Sequence, residues 1–306
     1  MTGTPMRMLL RDVLKSLLAL PLVVLLALLL VRSLGDPTEI IMEEAVDQSA
    51  IQAMRIYLGL EKSLPEQIAA RFAQVVLLDF GNSFIDQQPV IDILATRIGN
   101  SMLVMAAALG WLVLFCPLLG FLAFRYDAGL VFSTLGFSLL FAIPPLVVAV
   151  GVFYPAVTYL DVQIFESRLS LDKIVLAGFC MALPYIGFLS RLIAEALLDH
   201  HHRAYADFAR MKGLSDRQIL FRHVARNVLI GVLATANIIV VGFFTGSLVV
   251  ERVFNIKGLG DLIVEAAIRR DYIVLEGVIV VVFVFLTVLN LLLRFTFVCV
   301  DRRYSD

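Results

Sequence analysis

Charge is scarce in this chain and cysteine scarcer. Asp, Glu, Lys and Arg supply 17% of its 306 residues, against 60% hydrophobic residues, and the mean hydropathy is +0.91. Soluble domains average about 45–50% apolar residues, so the composition excludes an ordinary soluble fold and indicates a polytopic membrane protein. The net charge of -1 offers nucleic acid no basic surface. The three cysteines, Cys116, Cys180 and Cys299, lie in or beside apolar runs and form no C-x-x-C pair. That excludes a disulfide framework or a zinc ribbon and leaves small packing residues.

Chemical motifs are missing as well. There is no G-x-x-x-x-G-K-[ST] phosphate loop, no H-E-x-x-H and no G-x-S-x-G. The chain is therefore not expected to be an enzyme or to hold a cofactor, and any nucleotide that drives it must sit on another chain. His200, His201 and His202 are adjacent, so on a helix they point in different directions. They read as a solvated helix end rather than a metal site.

What is present is apolar sequence in long blocks. A bilayer-crossing helix needs about 20 mostly apolar residues. Six runs qualify, near 9–34, 101–124, 129–160, 173–198, 228–250 and 273–299. The first follows Arg7, Arg11 and Lys15, exceeds a signal-peptide core in length and lacks an A-x-A-like site, so it reads as a retained span. The third is too long for one straight crossing, and Pro144, Pro145 and Pro155 predict a kink or break. The expected fold class is an all-α polytopic membrane protein with six transmembrane helices.

Basic residues orient it. Arg7, Arg11 and Lys15 precede the first span; Arg203, Arg210, Lys212, Arg217, Arg222 and Arg226 lie in the 199–227 loop; Arg302 and Arg303 end the chain. With six spans all three groups share one side, which the positive-inside rule makes cytosolic, with both termini there. The 35–96 segment faces the other way and is acidic: Asp36, Glu39, Glu43, Glu44, Asp47, Glu61, Glu66, Asp79, Asp86 and Asp92 outnumber Arg55, Lys62 and Arg71. It is too long for a simple connection. Helices are expected over 49–60 and 64–80, the second with Ile68, Phe72, Val75 and Val76 at helical spacing. Its acidity would steer a basic partner surface or a cationic solute.

Charges within spans are few. Arg191 and Glu195 are four apart near one end of the fourth span, and Glu276 and Arg294 lie near the ends of the sixth. No span centre carries a charge, which argues against a proton relay. The fifth span holds Asn237, Gly242, Thr245, Gly246 and Ser247. Two readings stay open: helix packing through small residues, or a pathway lining formed by Asn237, Thr245 and Ser247.

The 199–227 loop is the most informative stretch. Ala204, Phe208 and Met211 recur at i, i+4 and i+7, with Tyr205 alongside, so a short amphipathic helix is expected. Gly213 suits a left-handed helix end. Ser215 and Gln218 have capping-box spacing, which starts a second helix. The first helix should present Tyr205, Phe208 and Ala209, either to anionic lipid through its arginines or to a protein, with small Ala209 permitting close approach.

This loop resembles the E-A-A-x-x-x-G coupling segment of permease subunits in binding-protein-dependent ABC importers. Asp207, Ala209 and Gly213 fall on its acidic, small and glycine positions, and Phe208 replaces the middle alanine. The later I-x-L-P part is absent, since His223, Ala225 and Arg226 stand there. ARxKGLS and RHxxRN are similar to the oligopeptide, dipeptide and nickel branch. So are GDP at 35–37, LGLEKSLPEQ at 58–67, DFGNSF at 79–84 with Pro89-Val90, ERVFNIKGLG at 251–260 and RRDY at 269–272. Together, in this order, they match the B-type permease. The short 161–172 stretch depart from that pattern, as does Pro184, deep in the fourth span, and these leave the substrate subgroup open.

The resemblance implies a cytosolic tail and first span over 1–34, an external segment over 35–96 and a permease core over 97–306. A coupling helix of about 203–213 would meet an ATPase through Arg203, Tyr205, Asp207, Phe208, Ala209, Arg210, Gly213 and Leu214. Implied partners are a second homologous permease, two ABC ATPase subunits, an extracytoplasmic substrate-binding protein and membrane lipid, in the bacterial inner membrane. Peptides are the implied cargo, and nickel or a metal chelate the alternative. A secondary transporter would instead need internal repeats and midplane ionisable residues, and an intramembrane enzyme a catalytic constellation within the spans; neither pattern is found.

Overall fold

Helices account for nearly all of the structure, a computed structural model that describes residues 3–33, 56, 62–83, 85–126, 130–166, 168–201 and 203–300. Among these, the only strand-like pairing is an isolated bridge between Asn82 and Pro89. The GDP block, the acidic residues and Arg55 between 36 and 61, the helix expected over 49–60 (Ile56 apart), Phe84, His202, Arg302 and Arg303 lie outside the described residues.

The first span is α1, Gly3–Ser33. A short helix, α2, spans Leu64–Val76. Its start is written locally: Ser63 is the N-cap, Pro65 opens the first turn, and Glu66 accepts the Ser63 N–H at 3.0 Å. The second span, α3, Val90–Arg125, begins well before the expected residue 101 because Pro89 caps it. Its 36 residues reach about 54 Å, so it projects beyond a hydrocarbon core of about 30 Å. The first turns of α3 thus occupy the end of the segment expected to be external.

The third apolar run is broken, as its prolines predict. It forms α4, Leu130–Ala142, and α5, Pro145–Tyr159, which meet at 89°. Pro144 is extended (φ -60°, ψ 142°) and Pro145 starts the next helix, so neither can continue the α4 ladder. Pro155 stays inside α5. Then come α6, Leu171–His201, and the short α7, Ala204–Met211. A one-turn α8, Asp216–Ile219, continues through a π segment, Leu220–Val224, into α9, Ala225–Val253. The chain ends with α10, Leu259–Ile268, and α11, Tyr272–Val300. Five helices are long and apolar enough to cross a bilayer, and the bent pair makes a sixth crossing if it counts as one.

Arg294 near the end of α11 pairs with Asp12 of α1, which defines a tail face. The opposite end, where α3, α10 and the end of α9 meet, is the clamp face. Between them, α6 is the mast of the bundle. Gly178 lets α3 approach so closely that an added Cβ would stand 2.7 Å from the Ala107 Cβ and 2.8 Å from the Ala108 nitrogen. Lower down the same seam, Gly120 of α3 meets Ile193 and Ser190, and Gly187 of α6 meets the Phe137 carbonyl of α4. The Tyr185 hydroxyl lies in the notch left by Gly242 of α9. Trp111 donates its indole N–H to the Val175 carbonyl at 3.0 Å and stacks on Phe115. Cys116 and Cys180 are buried in this core as packing residues, while Cys299 is exposed.

Gly178→Ala is expected to lower stability by about 1–3 kcal/mol, because backbone rather than a flexible side-chain end must move. Gly110→Ala, with nothing within 4 Å of the added methyl, is the control and should hold or raise stability. Thermal unfolding of the two variants in one detergent checks the contrast.

Candidate functional site

The 199–227 loop folds as helix, glycine turn, helix. Arg203 is the extended N-cap of α7 and its guanidinium meets Asp199 at 2.5 Å. The helix ends on Gly213, whose φ of +81° is the left-handed conformation that glycine adopts without strain. The Gly213 N–H reaches the Arg210 carbonyl at 2.9 Å and the Leu214 N–H the Ala209 carbonyl at 3.2 Å. Those two bonds are a Schellman ending. Two residues on, Ser215 starts α8 with the expected capping box, its N–H meeting Gln218 at 2.9 Å. Arg210 straddles the turn, meeting Asp207 at 2.6 Å and Asp216 at 3.1 Å. Hydrogen bonding to Asp216, then to Asp207, holds its guanidinium above its ordinary pKa. These pairs lie in water, so they orient the turn more than they stabilise it.

The faces of α7 differ from expectation at Ala209 and, in part, at Tyr205. Ala206 and Ala209 are buried, Ala209 to 7% exposure, and Tyr205 and Leu214 pack partly against the same core. Ala209 is therefore not offered to another surface; its small size lets α7 seat on its own spans. Phe208 is 55% exposed and Met211 78%, with Lys212 Nζ 4.5 Å above the Phe208 ring. Phe221, in the π segment, is exposed as well. The loop thus hangs between the ends of α6 and α9 and presents an aromatic and thioether knob. A π segment, rare and usually tied to function, joins α8 to α9 with no intervening coil.

The clamp face gathers most of the remaining sequence blocks, although they stand far apart in the chain. Arg97, Asn100 and Ser101 share one face of α3. Arg97 reaches Asp261 at 3.0 Å and Glu265 at 2.8 Å. Asn100 donates to the Lys257 carbonyl at 2.6 Å. Ser101 donates to the buried Glu251 carboxylate at 2.6 Å and accepts the Leu259 N–H at 2.8 Å. The other Glu251 oxygen accepts the Asp261 N–H at 3.1 Å. Glu251 of α9 therefore caps the start of α10 with an internal carboxyl group. Gly258 is glycine because a Cβ there would strike that carboxylate, and Gly260 because one would stand 2.7 Å from the Leu248 nitrogen. Asp261 also binds Arg252 at 2.9 Å and Lys257 at 3.3 Å. Burial pushes the Asp261 carboxyl up, but Arg252, Lys257 and Arg97 outweigh it and hold it below the usual range.

DFGNSF and RRDY meet alongside. Ser83 donates to Asp271 at 2.5 Å and accepts the Asp86 N–H at 2.9 Å, while Asp271 accepts the Val274 N–H at 3.3 Å in the first turn of α11. Asp86, one of the acidic residues of the 35–96 segment, pairs with Arg269 at 3.4 Å. Part of the acidity of that segment is thus neutralised internally. The residues on which the clamp turns, Arg97, Ser101 and Asp261, carried no sequence signal of their own. The usable sign was a glutamate closing an apolar span with Gly-x-Gly seven residues on.

Of the three pathway candidates, Ser247 is 1% exposed and its hydroxyl returns to the Phe244 carbonyl at 2.8 Å. It faces the packed interior, beside the close approach of Gly260. Thr245 is exposed and bonds the Val241 carbonyl; Asn237 is half-buried. Arg191 pairs with Glu195 at 2.7 Å as its spacing suggests, and Glu276 with Arg71 at 3.6 Å.

Residues 118–306 match the family described as binding-protein-dependent transport system inner membrane component. Among curated relatives, the chain is 27% identical over 310 residues to a putative peptide transport system permease of Brucella abortus (strain 2308), covering 97% of this chain and 98% of the relative. It is 28% identical over 283 residues to the oligopeptide transport system permease of Bacillus subtilis (strain 168), covering 88% and 89%. It is 26% identical over 282 residues to the glutathione transport system permease of Shigella boydii, covering 87% and 88%.

Glu251→Ala should cost about 1–3 kcal/mol, since it strands the Ser101 hydroxyl and the first N–H groups of α10. Faster amide exchange across 258–268 is the readout. Because the folded Asp261 value is depressed, its contribution is present above the ordinary carboxylate range and lost as pH falls through the folded value. Protection of the same amides should therefore fall on acidification, and less steeply in Asp261→Asn.

Proposed function

Because this chain belongs to the family of inner membrane components of binding-protein-dependent transport systems, we propose that it forms half of the pathway of an ATP-driven importer for small peptides. The peptide assignment is supported by the names of its relatives, which are peptide, oligopeptide and glutathione permeases. The missing phosphate loop supports a reading in which ATP is hydrolysed on separate ATPase chains. A second permease would stand beside this one and a substrate-binding protein would dock on the clamp face. The concentration of Lys and Arg on the tail face supports a cytosolic position for it and for both termini.

The observation that carries the proposal is the exposed Phe208–Met211 knob on a helix otherwise seated on its own spans. An ATPase groove would grip the knob, with Arg203, Asp207 and Arg210 orienting it. The seated residues Tyr205, Ala209 and Leu214 and the Gly213 turn would pass the displacement upward. ATP-driven closure of the ATPase pair would then tilt α6 and α9, between which the loop hangs, and hydrolysis would reverse it. This is alternating access by differential binding of two states, with no covalent step on this chain. Asn237 and Thr245 of α9 remain candidates for the pathway wall.

Phe208→Asp should abolish co-purification of the ATPase subunits and peptide uptake while the chain still inserts at normal abundance. Phe208→Leu should retain both. Gly213→Val forces a branched side chain into φ +81°; it should reduce uptake with less loss of the ATPase. Unchanged co-purification in Phe208→Asp would overturn the coupling assignment.

A further inference from the structure

The helix α2 is amphipathic the wrong way round for an element bathed in water. Its exposed residues after the first turn are Ala69, Ala70, Ala73, Val76 and Leu77, which form one face of the helix at i, i+1, i+4, i+7 and i+8. None is charged. Its longer polar residues turn toward the protein instead. Gln67 is buried and donates to the Lys62 carbonyl at 2.8 Å. Arg71 bonds Gln74 at 3.0 Å and Glu276 of α11 at 3.6 Å. Val76 was expected on the same face as Ile68 and Val75; those two pack inward and Val76 does not.

The level of the helix matters as much as its face. Arg71, Gln74 and Val75 share a cleft with Glu276, Gly277 and Val280. Those residues are within the apolar span of α11, which begins at Tyr272. So α2 lies beside the outer turns of a membrane helix, not above them. It also packs on α1, whose own flank exposes Leu22, Leu26 and Leu29. Both helices thus carry exposed apolar side chains.

The end of the helix adds a separate sign. α2 closes with a Schellman pair, Leu78 N–H to Val75 and Asp79 N–H to Gln74, and the left-handed residue is Leu78 at φ +57°. Glycine fits that position without strain. A leucine there accepts backbone cost and projects an apolar side chain, 63% exposed, next to Leu77 at 77%.

We propose that α2 is a lipid-inserted anchor: its Ala69–Leu78 face lies in the acyl chains of the leaflet on the clamp face, which holds the external segment at a set depth beside α11. The charge-free face favours hydrocarbon over a water-borne protein surface, whose rim would need polar partners. The inference is independent of the cargo and of the coupling assignment.

The test is spin-label accessibility. In the full-length chain with its co-purifying subunits, Cys299→Ser removes the exposed native thiol, since Cys116 and Cys180 are buried. Single Glu66→Cys, Ala73→Cys and Leu77→Cys variants are labelled and placed in phosphatidylethanolamine–phosphatidylglycerol vesicles. Labels at positions 73 and 77 should relax with oxygen and lose access to a water-soluble nickel chelate, while the label at 66 should do the reverse. Two results overturn the proposal: chelate access at 77 equal to that at 66, which means the face is solvated, or shielding of 73 and 77 from both reagents, which means a protein covers it.

Discussion

Close backbone approach along α6 is the constraint on which the rest of this bundle depends. Inside a bilayer, leucine gains nothing by leaving lipid for another leucine, so helices associate where small residues let backbones meet. Gly178 admits α3, Gly187 admits α4, and Gly242 of α9 admits Tyr185. Each contact is set by a missing side chain: added volume would meet backbone atoms at Gly178 and Gly187 and the Tyr185 ring and hydroxyl at Gly242. The Trp111 bond to Val175 adds direction to this seam, because a buried indole N–H must find an acceptor.

Around that mast the two faces are built by different physics. On the clamp face, charge and hydrogen bonding dominate: Arg97, Glu251 and Asp261 bind α3, α9 and α10 into one unit, with the start of α10 capped by an internal carboxyl group. Every buried polar group there has a partner, which is what makes such a network rigid. On the tail face, α7 rests on two alanines and leaves its bulky residues outside. One end of α9 is thus held fast while the other continues without a break into the exposed loop. A lever needs that asymmetry.

Much of the local structure was legible because its causes are local. Ser63 and Ser215 start helices through their own capping boxes, Gly213 ends one by adopting positive φ, and Pro144-Pro145 breaks the third apolar run. Ala209 and Val76 were misplaced for a common reason. Helical spacing groups residues over a broad arc, but does not say where in that arc the buried face ends. For Ser247 the sequence left two roles open, since a hydroxyl in an apolar span can serve a pathway or bond its own helix; in the fold it bonds the Phe244 carbonyl beside the close approach of Gly260.

The amino-acid sequence by itself determined the membrane class, the number of apolar runs, the basic side and the helix–glycine–helix shape of the 203–227 stretch. Hydropathy, charge and backbone preference act over a few turns and need no neighbours. Only the tertiary structure decided that Ser101, Glu251 and Gly258 meet at one point, that Arg97 serves Asp261, and that α2 turns its polar side inward. Those facts depend on which helices lie side by side, and that follows from three-dimensional fit between surfaces distant in the chain.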